Sequence, residues 1–105
     1  MSRRLLLVDD ETMLLRLWAP ELEKDGWEVT TAASLQEAQA APGPFAVVVA
    51  DIRLPNGDGR HLRELYADVP FLTISGGDGS DMNLKKPFSP SHLRAAVKLL
   101  MEVIP

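Results

Sequence analysis

An uninterrupted apolar run from Ala46 to Ala50 constrains the fold of this chain more than any other segment. The run is rich in valine and ends at Asp51, and the segment that follows (52–59) contains proline and glycine. A short β-branched run between turn-forming residues is typical of a strand buried on both faces, as in a parallel sheet. In such sheets the functional groups gather at the carboxyl ends of the strands. Asp51 is therefore the first candidate for a functional residue.

Segments with strand character alternate with segments of helical character along the whole chain. Further strands are predicted at 5–8, 27–31, 69–74 and 82–85, and the alternating pattern of 27–31 is typical of an edge strand. Helices are predicted at 12–24, from Ser34 to the proline at 42, at 60–66 and at 89–103. This alternation predicts an α/β fold with a doubly wound parallel sheet.

Apolar side chains of the predicted helices are expected to pack against the sheet and form the core. Pro20 lies inside the helix at 12–24 and removes a backbone donor, so we expect a kink or a break there. The apolar side of that helix is assigned to Leu14, Leu15, Leu17, Trp18 and Leu22. In the helix at 60–66, Leu62, Leu65 and Tyr66 are predicted to face inward. Trp18 and Trp27 are interpreted as core residues rather than ligand-stacking groups.

Composition narrows the functional class. The 105 residues suffice for one domain, which we assign to 1–105, and the net charge of −4 argues against binding to nucleic acid. The absence of cysteine excludes disulfides and thiolate metal sites. Only four apolar residues lie between the arginine pair and Asp9, too few for a signal peptide or a membrane span. We therefore expect a cytoplasmic protein that does not interact with a membrane.

Five polar residues follow the predicted strands and are expected at one edge of the sheet: Asp9, Asp10, Asp51, Ser75 and Lys86. Three crowded carboxylates repel one another unless a cation intervenes, and carboxylate oxygens suit Mg²⁺. With the acids neutralised in this way, one carboxylate can attack phosphorus and form an acyl phosphate. A lysine ammonium and a serine hydroxyl are suitable donors to the phosphoryl oxygens.

The order and placement of these residues resemble the receiver domain of two-component response regulators over essentially the whole chain. The matching pieces are Asp9-Asp10, the segment 51–59, Ser75 and Lys86-Pro87-Phe88. The resemblance implies a flavodoxin-like fold, a five-stranded parallel sheet of order 2-1-3-4-5. It also implies a role for each matching position. It makes Asp51 the phosphoacceptor, Asp10 a direct Mg²⁺ ligand and Asp9 the holder of a metal-bound water, with the backbone carbonyl of Arg53 as third protein ligand. It makes Ser75 the switch hydroxyl and Lys86 the phosphoryl contact. The resemblance also implies a cis peptide before Pro87.

The chain departs from the family pattern between Ser75 and Lys86. Only ten residues separate these two positions, where the family usually has a crossover helix. A parallel crossover normally needs about a dozen residues or more, so we expect a loop between strands 4 and 5 and a shortened receiver. Asn83 stands where the family commonly has an aromatic switch residue. We therefore expect a remodelled face of strand 4, strand 5 and the last helix, which a downstream protein or a second copy covers.

Three functions remain open at this point. The first is a phosphoacceptor in a histidine-to-aspartate relay, which receives its phosphoryl group from a sensor histidine kinase or a phosphotransfer protein and turns over no external substrate in bulk. The second is a pseudo-receiver that keeps the fold as an interaction module without phosphorylation. The third, a haloacid-dehalogenase-type phosphatase, ranks low because it requires Asp-x-Asp after the first strand and this chain has Asp9-Asp10-Glu11.

Overall fold

The apolar runs form a five-stranded parallel sheet in the computed structural model, which describes residues 3–54, 57–58, 61–75, 83–85 and 89–103. The sheet contains β1 (Arg4–Val8), β2 (Glu28–Ala32), β3 (Val47–Asp51), β6 (Phe71–Ser75) and β7 (Asn83–Lys85), in the order β2-β1-β3-β6-β7. A separate antiparallel hairpin joins β4 (Arg53–Leu54) and β5 (Gly57–Asp58). With the hairpin left out, the order is the predicted 2-1-3-4-5, and β2 is an edge strand as expected.

Helices cover both faces of the sheet, which confirms the doubly wound architecture. The helices are α1 (Thr12–Glu23), α2 (Leu35–Ala40), α3 (Leu62–Leu65) and α4 (Pro90–Val103). Apolar side chains of α1 and α4 share one core with Leu5 and Leu7 of β1, and those of α2 and α3 share a second core with Leu6 and Val8. All five residues of β3 are buried between the two cores. None of the helices in the described ranges combines the length and apolar character needed to cross a bilayer.

Helix α1 has no break at Pro20, one of the two alternatives predicted there, and it corrects the assignment of Leu17. It runs without a break through Pro20, which is exposed, as is Arg16 four residues earlier. Water can therefore bind the carbonyl that the proline ring leaves without an amide partner. Leu17 is 52% exposed, so its assignment to the core is wrong. The buried positions Leu15, Trp18 and Leu22 define a narrower stripe, and Leu17 lies on the outer side of it.

Helix α3 is a single turn, shorter than predicted. Leu62 is buried, but Leu65 is 58% exposed, so the inward placement of Leu65 is also wrong. The chain leaves the helical conformation at Tyr66, whose ring packs edge-to-face on Phe45 with centroids 6.0 Å apart. The Tyr66 ring thereby extends the apolar contact of Leu62, while Leu65 points to solvent.

Capping interactions confirm two predicted helix starts. The Ser34 hydroxyl accepts a hydrogen bond from the Glu37 amide at 3.1 Å, and the Glu37 carboxylate accepts one from the Ala33 amide at 3.1 Å. The return bond therefore reaches one residue further back than in a standard capping box. At α4, the Ser89 hydroxyl accepts a hydrogen bond from the His92 amide at 3.3 Å.

Strands β6 and β7 are parallel neighbours, and residues 76–82 connect them. Seven residues are too few for the usual helical crossover between parallel strands. That connection, and the predicted cis peptide before Pro87, lie outside the described residues. Leu72, Thr73 and Ile74 of β6 are buried, so these three positions leave no exposed surface for a downstream protein or a second copy to cover.

Gly57 in the hairpin is predicted to be sensitive to substitution. Its φ is +157°, and a Cβ atom there would lie 2.7 Å from Cδ2 of the buried Leu35. We expect Gly57→Ala to lower the free energy of unfolding by about 1–3 kcal/mol, because an alanine at this φ has a strained backbone and its Cβ forces Leu35 to shift. Urea denaturation measures this. Gly43→Ala is the matched control, since its Cβ would meet Phe45 only at 3.6 Å, and equal losses in both variants would contradict the account.

Candidate metal and phosphoryl site

The sheet register places two of the predicted acids side by side. Val8 of β1 pairs with Ala50 of β3, so the residues that follow, Asp9 and Asp51, lie level at the carboxyl edge. Asp9 is completely buried and Asp51 is 4% exposed, whereas Asp10 is exposed. Carboxylate oxygens of all three lie within 4.8 Å of one another. The structure therefore brings together the three acids that the sequence predicts at this edge.

Both buried acids are held by an amide two residues further along the chain. The Glu11 amide donates a hydrogen bond to Asp9 Oδ1 at 2.9 Å, and the Arg53 amide donates one to Asp51 Oδ1 at 3.0 Å. These bonds fix the orientation of each carboxylate. These two hydrogen bonds were not predicted from the sequence, although aspartate side chains commonly make such turns with their own backbone.

The arrangement suits a hard divalent cation. Three carboxylates at this separation repel one another, and a cation between them removes that repulsion. Mg²⁺ binds oxygen at about 2.1 Å, so ligands on opposite sides of the ion are about 4 Å apart. The 4.8 Å limit on the separations of these oxygens is compatible with that span. Exposed Asp10 leaves one side of the group open to water, which Mg²⁺ retains in most protein sites.

The other predicted site residues are placed less completely. The backbone of Arg53 lies two residues beyond Asp51, at the start of the hairpin. Asp51 pairs with Ile74, so the backbone of Ser75 comes one residue further at the same edge, and Ser75 pairs with Lys85 of β7. The side chain of Ser75 and the whole of Lys86 lie outside the described part of the chain.

Mg²⁺ is expected to stabilise the protein through the three acids. At a concentration of one hundred times the dissociation constant, the gain in unfolding free energy is about 2.7 kcal/mol. Asp10→Asn should lose most of this gain, and without Mg²⁺ it should be at least as stable as the wild type because one repulsive charge is gone. Thermal unfolding with and without Mg²⁺ measures both effects. Asp68→Asn, the same change at an exposed acid of another turn, should keep the full response; an equal response in Asp10→Asn would contradict the assignment.

Known proteins with similar sequences and structures include transcriptional regulatory proteins and response regulator receiver domains. The alkaline phosphatase synthesis transcriptional regulatory protein PhoP of Bacillus subtilis is 31% identical over 96% of this chain and 49% of its own length. A CheY-like response regulator receiver domain protein of Methanospirillum hungatei superposes with a TM-score of 0.85 at 28% identity, over 97% of this chain and 96% of the other. The beryllofluoride-activated NtrC4 receiver domain dimer gives a TM-score of 0.81 at 29% identity, over 95% and 97%. No protein-family model matches the chain.

The fold and the acidic edge of the sheet define a CheY-like domain of two-component signalling. The chain belongs to the receiver domains of response regulators. It spans about half the length of the curated relatives that it matches.

Proposed function

We propose that the chain accepts a phosphoryl group on Asp51 in a histidine-to-aspartate relay. The observation that carries the proposal is the placement of Asp51: a buried carboxylate, fixed by the Arg53 amide, with one oxygen within 4.8 Å of an oxygen of Asp9 and of Asp10. In a purely structural role, the placement of Asp51 beside two other acids would destabilise the fold, since like charges at this distance repel one another. Two acids beside a nucleophilic third are instead suited to hold Mg²⁺.

The proposed step is a phosphoryl transfer with in-line geometry. An oxygen of the Asp51 carboxylate attacks phosphorus, the P–N bond of a donor phosphohistidine breaks, and the histidine nitrogen keeps the electron pair of that bond. The product is an acyl phosphate on Asp51 and a free imidazole on the donor. Bound Mg²⁺ would supply positive charge to the phosphoryl oxygens. Asp10 would bind it directly and Asp9 through a water.

Three further groups are assigned by the family pattern. The backbone carbonyl of Arg53 would be the third protein ligand of Mg²⁺. The Ser75 hydroxyl and the Lys86 ammonium would donate hydrogen bonds to the phosphoryl oxygens after transfer. Ser75 would thereby report the modification to β6 and its neighbours.

The donor would be a sensor histidine kinase or a histidine phosphotransfer protein, which places the chain in the cytoplasm where ATP-dependent kinases work. Output would run through contacts with a downstream protein or a second copy, on the surface formed by β6, β7 and α4. A receiver domain similar to this chain forms a dimer when activated, which supports the second arrangement. Within the relay the chain would modify itself and release no bulk product.

The decisive experiment is incubation with Mg²⁺ and acetyl phosphate, followed by intact mass measurement. A gain of one phosphoryl group that requires Mg²⁺ supports the relay function. No gain with any donor would contradict it and favour a pseudo-receiver that acts as an interaction module. Steady release of phosphate from varied substrates, without a modified chain, would favour a phosphatase.

A further inference from the structure

A second group of charged side chains lies at the end of the sheet opposite the acids. Arg3 precedes β1 and Trp27 precedes β2, and side chains of α4 lie beside these two residues. Together they form an open cavity of about 310 Å³. The residues that line this basic cavity are Arg3, Asp25, Trp27, Arg94, Lys98, Met101 and Glu102.

Arg3 brings positive charge to the basic cavity. Its guanidinium lies 4.3 Å from the centre of the Trp27 ring and donates hydrogen bonds to the carbonyl oxygens of Asp25 at 2.8 Å and Gly26 at 3.4 Å. Both acceptors are neutral, so these bonds orient the guanidinium without neutralising its charge. Stacking on Trp27 fixes its plane in addition.

The acids of the basic cavity do not balance its cations. Arg94 binds both carboxylate oxygens of Asp25, at 2.9 and 2.6 Å, and lies 3.7 Å from Glu21. The hydrogen bond from Arg94, with smaller contributions from Lys98 and Arg3, holds the pKa of Asp25 below its ordinary value. The lining thus contains three cations against Asp25 and Glu102, in a chain whose net charge is −4.

The Lys98 ammonium is a cation of the basic cavity whose N–H donors are available to a ligand. Within the described part of the chain it makes no hydrogen bond or ion pair, and its side chain is exposed. An ammonium group has three N–H donors and no acceptor. Met101 supplies an apolar wall beside it.

We propose that the basic cavity binds an oxyanion, the phosphate or carboxylate group of a small ligand, through Lys98 and Arg3. Both residues line a partly enclosed volume that is large enough for such a group and a short apolar body, and both side chains carry N–H donors. Charge-assisted hydrogen bonds of this kind are shorter and stronger than neutral ones. The inference is independent of phosphorylation at Asp51, because the two sites lie at opposite ends of the sheet.

Titration of the intact, isotope-labelled chain with sodium phosphate and with sodium acetate tests this, in metal-free buffer at constant pH and ionic strength. We expect saturable NMR shifts of the Trp27 indole and of amides in 94–102 with one anion or both, and the anion that binds more tightly identifies the ligand group. Lys98→Gln should raise the apparent Kd at least about tenfold, the effect of losing one charge-assisted hydrogen bond.

Lys24→Gln is the matched control, because it removes the same charge from a lysine that pairs with Glu21 at 2.8 Å but does not line the basic cavity. It should leave the Kd within about twofold, since a screened surface charge contributes little. Equal weakening by both substitutions would show a general charge effect and overturn the proposal. Saturable shifts at Asp9 and Asp51 alone, or no saturable shift with either anion, would also overturn it.

Discussion

Asp51→Asn should gain no phosphoryl group from acetyl phosphate and Mg²⁺ under conditions in which the wild type gains one. The asparagine amide is not a nucleophile toward phosphorus, but its side-chain oxygen can still accept the hydrogen bond that the Arg53 amide gives to Asp51 at 3.0 Å. The variant should therefore fold normally and lose only the chemistry. Intact mass measurement over a time course gives the result directly.

Asp68→Asn is the control for this experiment, since it makes the same chemical change at an exposed acid. It should be phosphorylated to the wild-type level. A mass gain in Asp51→Asn equal to that of the wild type would show that another side chain accepts the phosphoryl group, and it would refute the role assigned to Asp51.

Trp18→Ala should cause the largest loss of stability among single substitutions in α1. Trp18 is 1% exposed and belongs to the core that α1 and α4 share with the sheet. Truncation of a buried tryptophan typically costs about 3–5 kcal/mol, since it removes apolar contacts and leaves a cavity. A domain of this size has a total stability of about 5–15 kcal/mol, so the variant should unfold at a much lower urea concentration.

Leu17→Ala tests the same helix on its exposed side. Because Leu17 is 52% exposed, its truncation should change the free energy of unfolding by less than about 1 kcal/mol. If Trp18→Ala does not fold, Trp18→Phe should fold with an intermediate stability. Equal losses in Leu17→Ala and Trp18→Phe would contradict the description of the core.

The architecture and the acidic edge of the sheet could be predicted from the apolar runs in the sequence. An apolar run such as 46–50 has few alternatives to a buried parallel strand. Once parallel strands are assigned, the topology brings the residues after them to one edge. The meeting of Asp9, Asp10 and Asp51 is therefore a consequence of the strand assignments.

Helix faces and local backbone bonds were harder to predict. Spacing alone assigned Leu17 and Leu65 to the core, but which face is buried depends on where the sheet lies and on how long the helix is. At Pro20 the intact packing of α1 on the sheet outweighs one missing backbone bond. The hydrogen bonds from backbone amides to Asp9 and Asp51 depend on turn conformations, which the spacing of apolar residues does not reveal.

The central claim, that Asp51 accepts the phosphoryl group with the help of Mg²⁺, is tested most directly by locating that group. The phosphorylated wild-type chain is reduced with borohydride, which converts an acyl phosphate into the corresponding alcohol, and its peptides are then mapped by mass. The account predicts one modified residue, Asp51, and none when Mg²⁺ is removed beforehand. Modification at Asp9, at Asp10 or at a hydroxyl side chain, or modification that does not require Mg²⁺, would contradict it.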